Sequence, residues 1–155
     1  MRRKRNYKRE RKPDIKYGSI PVGRFINYLM KRGKKSVAEK IMYDAFDIIK
    51  KETNLEPTVV FEKAMENATP LVEVTSKRVG GANYQVPREV RAARKFMLTA
   101  GWIIDAANGK KGKPMAKKLA EELMLAYKNE GAAIKKKQDT HRMAEANRAF
   151  AHFSW

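Results

Sequence analysis

The sequence contains no cysteine, only two histidines and no long apolar run. The absence of cysteine excludes disulfide bonds, a cysteine nucleophile and thiolate metal ligands. His141 and His152 alone are too few for a zinc site, so we expect no bound metal. No segment approaches the roughly 20 apolar residues of a membrane-spanning helix, and no apolar segment follows the basic N-terminus as in a secretory signal. These observations predict a soluble, cytoplasmic protein without membrane contact.

The sequence also lacks a recognisable catalytic group. No Ser-His-Asp arrangement and no pair of carboxylates stands out from the polar faces of the predicted helices. General acid–base and nucleophilic catalysis both need a base with an orienting partner. We therefore predict that the protein is not an enzyme and that it takes no cofactor and no small-molecule substrate.

Acidic residues are outnumbered two to one. The chain has 155 residues with 35 lysines and arginines against 17 aspartates and glutamates, a net charge of +18. A small soluble domain is well served by a net charge of about 2–8. Self-repulsion from a larger excess destabilises the compact state until a polyanion neutralises it. Nucleic acid is the favoured partner, although anionic membrane surfaces also attract cations.

The charge is unevenly distributed along the chain. Residues 1–16 hold nine basic and two acidic residues, whereas residues 36–73 hold four basic and eight acidic ones. This partition predicts one face on a polyanion and another facing solvent or basic neighbours. Residues 1–16 are also poor in apolar side chains, so we predict a flexible basic arm there. Residues 17–155 are predicted to form a single helical RNA-binding domain.

The spacing of apolar residues predicts a mainly α-helical fold, a bundle of about six helices. Order is expected to begin near Ser19, which can cap the first helix, and Gly33 is expected to end that helix. A capping box formed by Ser36 and Glu39 predicts the start of the second helix. Pro57 marks the start of the third.

The last three helices are predicted over 88–107, 114–129 and 132–150. In the first of these, Ala93 and Met97 fall on the expected inner face. The C-terminal segment has the weakest pattern, because lysines and polar residues interrupt its apolar stripe.

Between the third and fourth helices the apolar pattern changes from helical to alternating. Residues 72–87 predict a β-hairpin whose two loop residues are Gly80 and Gly81. Valines crowd its base and polar groups its tip, so only the base is expected to pack and the outer half to project. The expected pairs are Val79 with Ala82, Arg78 with Asn83, Lys77 with Tyr84, and Thr75 with Val86.

Residues 109–113, with sequence GKKGK, admit three interpretations. A phosphate-binding P-loop needs four residues between the glycines and a strand in front, and both are missing. A GxxG loop of a KH domain fits the position between two predicted helices, but the sheet of a KH domain cannot be recognised. A flexible basic connection, still able to touch phosphate, is therefore favoured.

Four long segments give the chain a specific resemblance. They are residues 21–45 (PVGRFINYLMKRGKKSVAEKIMYDA), 70–87 (PLVEVTSKRVGGANYQVP), 112–124 (GKPMAKKLAEELM) and 131–155 (GAAIKKKQDTHRMAEANRAFAHFSW). In this order and spacing they resemble the family of bacterial ribosomal protein seven of the small subunit. The resemblance implies a helical bundle with a β-hairpin arm, in a bacterial or organellar form.

The resemblance also implies a function. Members of that family bind ribosomal RNA directly in the head of the small subunit and nucleate assembly of the 3′ major domain. They lie near the exit-site tRNA and the path of messenger RNA, and they touch the small-subunit proteins numbered nine and eleven. Some repress translation of their own operon.

The candidate RNA-binding residues are cations of the arm, of the interhelical connections and of the C-terminal region, which suit backbone contact with phosphate. They are Arg2, Arg3, Lys4, Arg5, Arg9, Arg11, Lys12, Lys34, Lys35, Arg91, Arg94, Lys95, Lys110, Lys111, Lys113, Lys135, Lys136, Arg142 and Arg148. The outer hairpin is expected near tRNA and messenger RNA, where an aromatic ring can stack on an unpaired base. Its candidates are Lys77, Arg78, Gly80, Gly81, Asn83 and Tyr84.

Two other functions share part of this pattern. A DNA-binding module, such as a helix-turn-helix or nucleoid protein, would carry the same excess of positive charge. A protein–protein adaptor would bind through the acidic segment 36–73 with little dependence on RNA.

Overall fold

The computed structural model describes residues 12–153. Within them, the chain forms six α-helices and one two-stranded antiparallel hairpin, and a short 3-10 helix follows the last α-helix. The elements are α1 (Ile20–Leu29), α2 (Lys35–Thr53), α3 (Pro57–Ala68), β1 (Val72–Val79), β2 (Ala82–Glu89), α4 (Ala92–Gly109), α5 (Met115–Tyr127), α6 (Ala132–Ala146) and the 3-10 helix (Arg148–Phe153). The predicted mainly α-helical class, with a hairpin between the third and fourth helices, is confirmed.

The core is centred on α5, which packs against α2, α3, α4 and α6. Leu119 and Leu123 of this helix are fully buried. Phe61 meets Phe25 and Phe46 edge to face, with ring centroids 5.3 and 5.9 Å apart. Such contacts add to the stabilisation that apolar burial supplies. The core therefore gives the surface residues a rigid frame.

The third helix follows the sequence closely. α3 begins at Pro57, as predicted, and ends at Ala68. Proline suits the first turn of a helix, because the backbone N–H groups there have no helical partner and proline has no N–H. The apolar residues at helical spacing, among them Val60 and Ala64, are fully buried.

The first helix differs from the prediction at both ends. The Ser19 side chain makes no capping hydrogen bond, and α1 ends at Leu29, before Gly33. The backbone N–H of Met30 still bonds to the carbonyl of Ile26, after which the chain leaves the helix. Gly33 has a φ of +74° in the following turn, a conformation that glycine adopts without a Cβ penalty.

The capping box predicted for the second helix is wrong. α2 begins at Lys35 with Lys34 at its N-cap, so Ser36 lies inside the helix and caps nothing. Glu39 instead faces Lys35 one turn earlier, with 3.7 Å between Oε1 and Nζ. Glu39 therefore takes part in an i, i+4 ion pair and not in the expected cap.

The fourth helix begins later than the sequence suggested. β2 extends to Glu89, and α4 starts at Ala92. Ala93 and Met97 are exposed, contrary to the prediction. Full burial starts only at Thr99, and in the first two turns Phe96 is partly buried against the core. The segment 132–150 is also divided, since α6 ends at Ala146.

Folded structure begins earlier than the Ser19 expected from sequence. Asp14 is buried, and its Oδ2 accepts hydrogen bonds from the backbone N–H groups of Lys16 (3.1 Å) and Tyr17 (3.0 Å). Its Oδ1 accepts a hydrogen bond of 2.8 Å from the hydroxyl of Tyr43 on α2. One carboxylate therefore closes the turn and ties it to the bundle. Residues 1–11, most of the predicted arm, lie outside the described residues.

The register of the hairpin is as predicted. Val79 pairs with Ala82 around the loop residues Gly80 and Gly81, and the four expected pairs are all present. The two glycines have φ values of +55° and +89°. These are the left-handed conformations that a two-residue hairpin loop requires.

The outer half of the hairpin is not free, in contrast to the expectation. The Tyr84 ring lies 5.2 Å from the ring of Phe150 and 5.3 Å from that of Phe153, centroid to centroid. Lys77 Nζ donates a 2.9 Å hydrogen bond to the Phe153 carbonyl. The C-terminal 3-10 helix therefore packs on β2. Sequence periodicity within the hairpin could not reveal this support, since it comes from a distant segment.

Candidate nucleic-acid interface

A groove on the outside of α1 brings two predicted cations together. It has a volume of about 430 Å³, and its lining includes Lys12 and Lys35. Arg24, Asn27 and Tyr28 of α1 also line it, and none of these three was predicted from sequence. Two carboxylates, Asp14 and Glu39, line it as well, and Glu39 pairs with Lys35. Lys12, Arg24, an amide and a partly exposed ring remain in the groove as groups that suit contact with nucleotides. We call it the α1 groove.

An aromatic ring of α4 fixes one of these cations. The Arg24 guanidinium lies 3.8 Å from the centroid of the Phe96 ring, and the Tyr28 ring lies 6.0 Å from Phe96. Cation–π contact of this kind holds an arginine side chain in place against the ring. The i, i+4 spacing of Arg24 and Tyr28 places both on one face of α1, a signal that the sequence contains. The contact of Arg24 with Phe96 joins distant segments, and no local pattern indicates it.

The cations around the start of α4 fall into two groups. Arg91, at the N-cap of α4, is exposed, and Lys95 is half-buried. Arg94 instead bonds to Glu73 of β1, with 2.5 Å between Nε and Oε2. Arg88 of β2, which sequence analysis did not select, bonds to the same carboxylate through Nη2 at 2.8 Å.

Glu73 is the acid at the centre of this cluster, and its side chain is only 8% exposed. Burial opposes ionisation of the carboxyl, but the hydrogen bonds from Arg94 and Arg88 outweigh it. The pKa of Glu73 therefore lies below its ordinary value. The carboxylate stays charged at neutral pH and joins the hairpin to α4.

The loop between α4 and α5 holds three predicted cations, two of which have acidic partners. Lys110 Nζ lies 3.0 Å from Glu122 Oε2, and Lys113 bonds to Glu121. Lys111 is exposed. The hairpin is the only sheet among residues 12–153, so the three-stranded sheet that a KH domain needs is missing there. A basic connection remains the interpretation that fits.

On α6, two adjacent lysines face solvent without acidic partners within the described part of the chain. These are Lys135 and Lys136. Arg142 and Arg148 are also exposed, but each faces an acid three residues earlier, Asp139 at 3.7 Å and Glu145 at 3.5 Å. Exposed ion pairs of this kind contribute little to stability. An arginine in such a pair can readily exchange its acidic partner for another anion.

The tip of the hairpin remains open to solvent. Arg78, Gly80, Gly81 and Asn83 are exposed. Lys77 and Tyr84 are half-buried, because they contact the 3-10 helix. Of the predicted arm cations, Lys12 lines the α1 groove. The others, Arg2, Arg3, Lys4, Arg5, Arg9 and Arg11, lie outside the described residues.

Residues 12–153 contain no cluster of three histidine, aspartate or glutamate side chains that could hold a metal ion. No helix in that part of the chain combines the length and the apolar character that a membrane crossing demands.

Comparison with known proteins identifies the family. The sequence model of the family described as ribosomal protein S7p/S5e matches residues 1–148. The chain belongs to this family. It is a structural constituent of the small ribosomal subunit and not an enzyme, and it acts in translation within the cytoplasmic ribonucleoprotein.

The relatives match all or nearly all of the chain. A protein of Thermotoga neapolitana named small ribosomal subunit protein uS7 is 56% identical over 155 residues, which is 100% of both chains. The protein of the same name from Methylocella silvestris is 55% identical over 96% of this chain and 95% of its own length. The protein of the same name from Endomicrobium trichonymphae is 56% identical over 92% of this chain and 90% of its own length. The expected bacterial type of this family is thereby confirmed.

Proposed function

We propose that the chain binds the ribosomal RNA of the small-subunit head directly and nucleates assembly of the 3′ major domain. The observation that carries this proposal is a set of predicted cations that are exposed and have no acidic partner where the structure describes the chain. Exposed cations without acidic partners among residues 12–153 occur at the start of α2, at the start of α4, in the loop before α5 and on α6. Those among the predicted cations include Lys34, Arg91, Lys111, Lys135 and Lys136.

The mechanism is contact with the RNA backbone. Arginine and lysine side chains meet phosphate oxygens, and guanidinium groups add two parallel hydrogen bonds. The cations of residues 1–12 extend the contact along the RNA. The α1 groove adds an aromatic ring and an amide that can recognise an unpaired nucleotide. Folded RNA, which offers both phosphates and unstacked bases, fits this combination better than duplex DNA does.

The hairpin serves a different part of the ribosome in this proposal. Its tip lies beside the exit-site tRNA and the path of messenger RNA. Arg78 and Asn83 are the exposed groups there, and Tyr84 supplies a ring that is already held by Phe150 and Phe153. Support from the 3-10 helix gives the tip a fixed direction, as a contact with a passing tRNA requires.

A second surface supports a role as an adaptor for neighbouring proteins. The segment 36–73 has a net charge of −4 and forms α2 and α3. An acidic face on a cationic protein suits basic tails, and small-subunit proteins nine and eleven are the proposed neighbours. Repression of its own operon would use the same RNA-binding surface on a messenger that imitates the ribosomal site.

Footprinting of the purified protein on small-subunit ribosomal RNA tests direct binding. Protection confined to the 3′ major domain supports the proposal, and absence of protection contradicts it. Salt dependence adds a quantitative test: if about eight phosphates are neutralised, log affinity falls against log salt with a slope near −7. Equal affinity for duplex DNA at the same salt concentration would favour the DNA-binding alternative.

A matched pair of variants locates the interface. Lys135→Gln with Lys136→Gln removes two charges from α6, and Lys50→Gln with Lys51→Gln removes two from the acidic segment. The first pair should reduce the magnitude of the salt slope by about 1.4–1.8, and the second should leave it unchanged. An equal effect of both pairs would mean that net charge, and no particular surface, determines binding.

A further inference from the structure

The base of the hairpin contains a buried acid in a region rich in cations. Glu73 Oε1 accepts hydrogen bonds from Arg88 Nε (3.0 Å) and Nη2 (2.8 Å), and its Oε2 accepts one from Arg94 Nε (2.5 Å). Arg88 is the cross-strand partner of Glu73, and Arg94 lies on the first turns of α4. One carboxylate therefore holds two guanidinium groups from two different elements.

Each guanidinium keeps most of its donors. A guanidinium has five N–H groups. Arg88 uses two of them on Glu73 and Arg94 uses one, so three and four remain. The two arginine side chains are 49% and 44% exposed, whereas that of Glu73 is 8% exposed. The acid lies behind the two guanidinium groups, and a large part of each arginine faces solvent.

We propose that Arg88 and Arg94 form a clamp for one RNA phosphate, and that Glu73 is a positioning residue for it. The inference rests on the proposed RNA-binding function and adds a defined site to it. Two guanidinium groups around one carboxylate leave a net charge of +1, and Arg91 at the adjacent N-cap is exposed as well. The ligand is a phosphodiester, since the planar donor fork of arginine matches two phosphate oxygens.

Preorganisation is the contribution of Glu73. A free arginine loses rotamer freedom when it binds a phosphate, and a guanidinium already held by a carboxylate has less to lose. The clamp also lies at the junction between the end of β2 and the start of α4. A phosphate bound there would fix the direction of the hairpin relative to the bundle, so RNA binding at the base and placement of the tip would be coupled.

The role of Glu73 can be separated from its charge. If Glu73 only offsets positive charge, Glu73→Gln should strengthen RNA binding, because it removes a repulsive anion. If Glu73 positions the clamp, the same change should weaken binding about tenfold, the effect of losing one charged hydrogen bond. Glu89→Gln is the matched control. It removes one negative charge from the exposed end of the same hairpin, and binding should be unchanged or slightly stronger.

The experiment measures affinity of the full chain for a 3′ major domain RNA fragment over a range of salt, with thermal melts of each variant. Arg88→Gln should reduce the magnitude of the salt slope by about 0.7–0.9, as expected for one lost phosphate contact. Glu73→Asp keeps the charge but shortens the reach, so affinity should fall with the slope unchanged. Stronger binding by Glu73→Gln, or an unchanged slope in Arg88→Gln, would overturn the clamp.

Two further outcomes are decisive. If Glu73→Gln melts below the assay temperature, the salt slope of Arg88→Gln alone tests the clamp. The Arg88→Gln variant should stay folded, because its Glu73 still pairs with Arg94. If the wild-type chain does not bind the fragment, the proposed function itself fails. Binding by the wild type with no loss in any clamp variant refutes only the clamp.

Discussion

Glu122 of α5 accepts a hydrogen bond from the backbone N–H of Ala133, the second residue of α6, at 3.1 Å. α6 receives no side-chain cap from its own N-cap residue, Gly131. A carboxylate from a neighbouring helix therefore satisfies a free N–H and places negative charge at the positive end of the helix dipole. The second oxygen, Oε2, has Lys110 Nζ at 3.0 Å. This contact lacks hydrogen-bond geometry, and the short distance makes it an electrostatic pair.

Removal of the buried acid should be costly. Glu122→Ala leaves the Ala133 N–H without its partner and removes the nearer of two acids beside Lys110, since Glu121 remains at 3.9 Å. We expect a loss of about 3 kcal/mol in the free energy of unfolding. The melting temperature should fall by roughly 10 °C. Glu130→Ala, which removes an exposed acid nearby, is the control and should change stability by less than about 0.5 kcal/mol. Similar melting of the two variants would show that the buried acid is dispensable.

The close approach of Glu122 also explains a glycine. Gly131 has a φ of +96°, and a Cβ there would lie 2.9 Å from Glu122 Oε1 and 3.1 Å from Leu125 Cβ. Gly131→Ala should therefore combine backbone strain with a steric clash. Gly112 has a φ of +79°, and a Cβ added there would meet no atom within 4 Å, so Gly112→Ala isolates the strain of about 1–3 kcal/mol. Chemical denaturation should show the larger loss for Gly131→Ala, and equal losses would refute the clash.

The hydroxyl of Tyr43 offers a probe of the N-terminal turn. Burial, followed by its hydrogen bond to Asp14, raises the pKa of Tyr43 to about 12. The unfolded chain therefore releases this proton more easily, and the stabilisation is complete below pH 10 and lost as the pH rises toward 12. Phenolate absorbance should show one tyrosine that titrates late. Tyr43→Phe should abolish that step and cost about 1 kcal/mol, whereas the exposed Tyr28→Phe should do neither.

The fold could be predicted from sequence where local signals determine it. Two glycines fixed the register of the hairpin, and Pro57 marked the start of α3, because both effects depend on neighbouring backbone geometry. The capping box predicted at Ser36 is wrong because its local signal does not determine where the helix begins. A Ser-x-x-Glu spacing is compatible with several helix starts, and tertiary packing begins α2 at Lys35.

The candidate site was less predictable, because lysines and arginines look alike in a sequence. Lys110 and Lys136 were both selected as cations, yet only Lys110 has a buried partner, Glu122. Arg94 meets an acid 21 positions earlier in the chain. Pairing over such distances depends on how α4, α5 and the hairpin pack, and no periodicity encodes it. The Arg24–Phe96 contact was missed on the same grounds.

A single imidazole links α6 to the start of the hairpin, and its titration should be visible in stability. His141 Nε2 accepts a 3.1 Å hydrogen bond from the backbone N–H of Leu71, which it can do only when that nitrogen is unprotonated. Burial, and then the charge of Lys137, lower the pKa of His141 below its ordinary value of 6.5. The unfolded chain thus binds the proton more readily than the folded one. The contribution to stability is complete above about pH 6.5 and is lost as the pH falls through the folded pKa.

Urea denaturation at a series of pH values between neutral and mildly acidic checks this expectation. The wild-type protein should lose stability below pH 6.5, in addition to any loss from carboxylates at lower pH. His141→Gln retains an acceptor oxygen but cannot titrate, so its stability should stay level through the range where the wild type declines. His152→Gln removes the other histidine and should leave the decline in place. A decline that persists in His141→Gln and disappears in His152→Gln would assign the titration to the C-terminal residue instead.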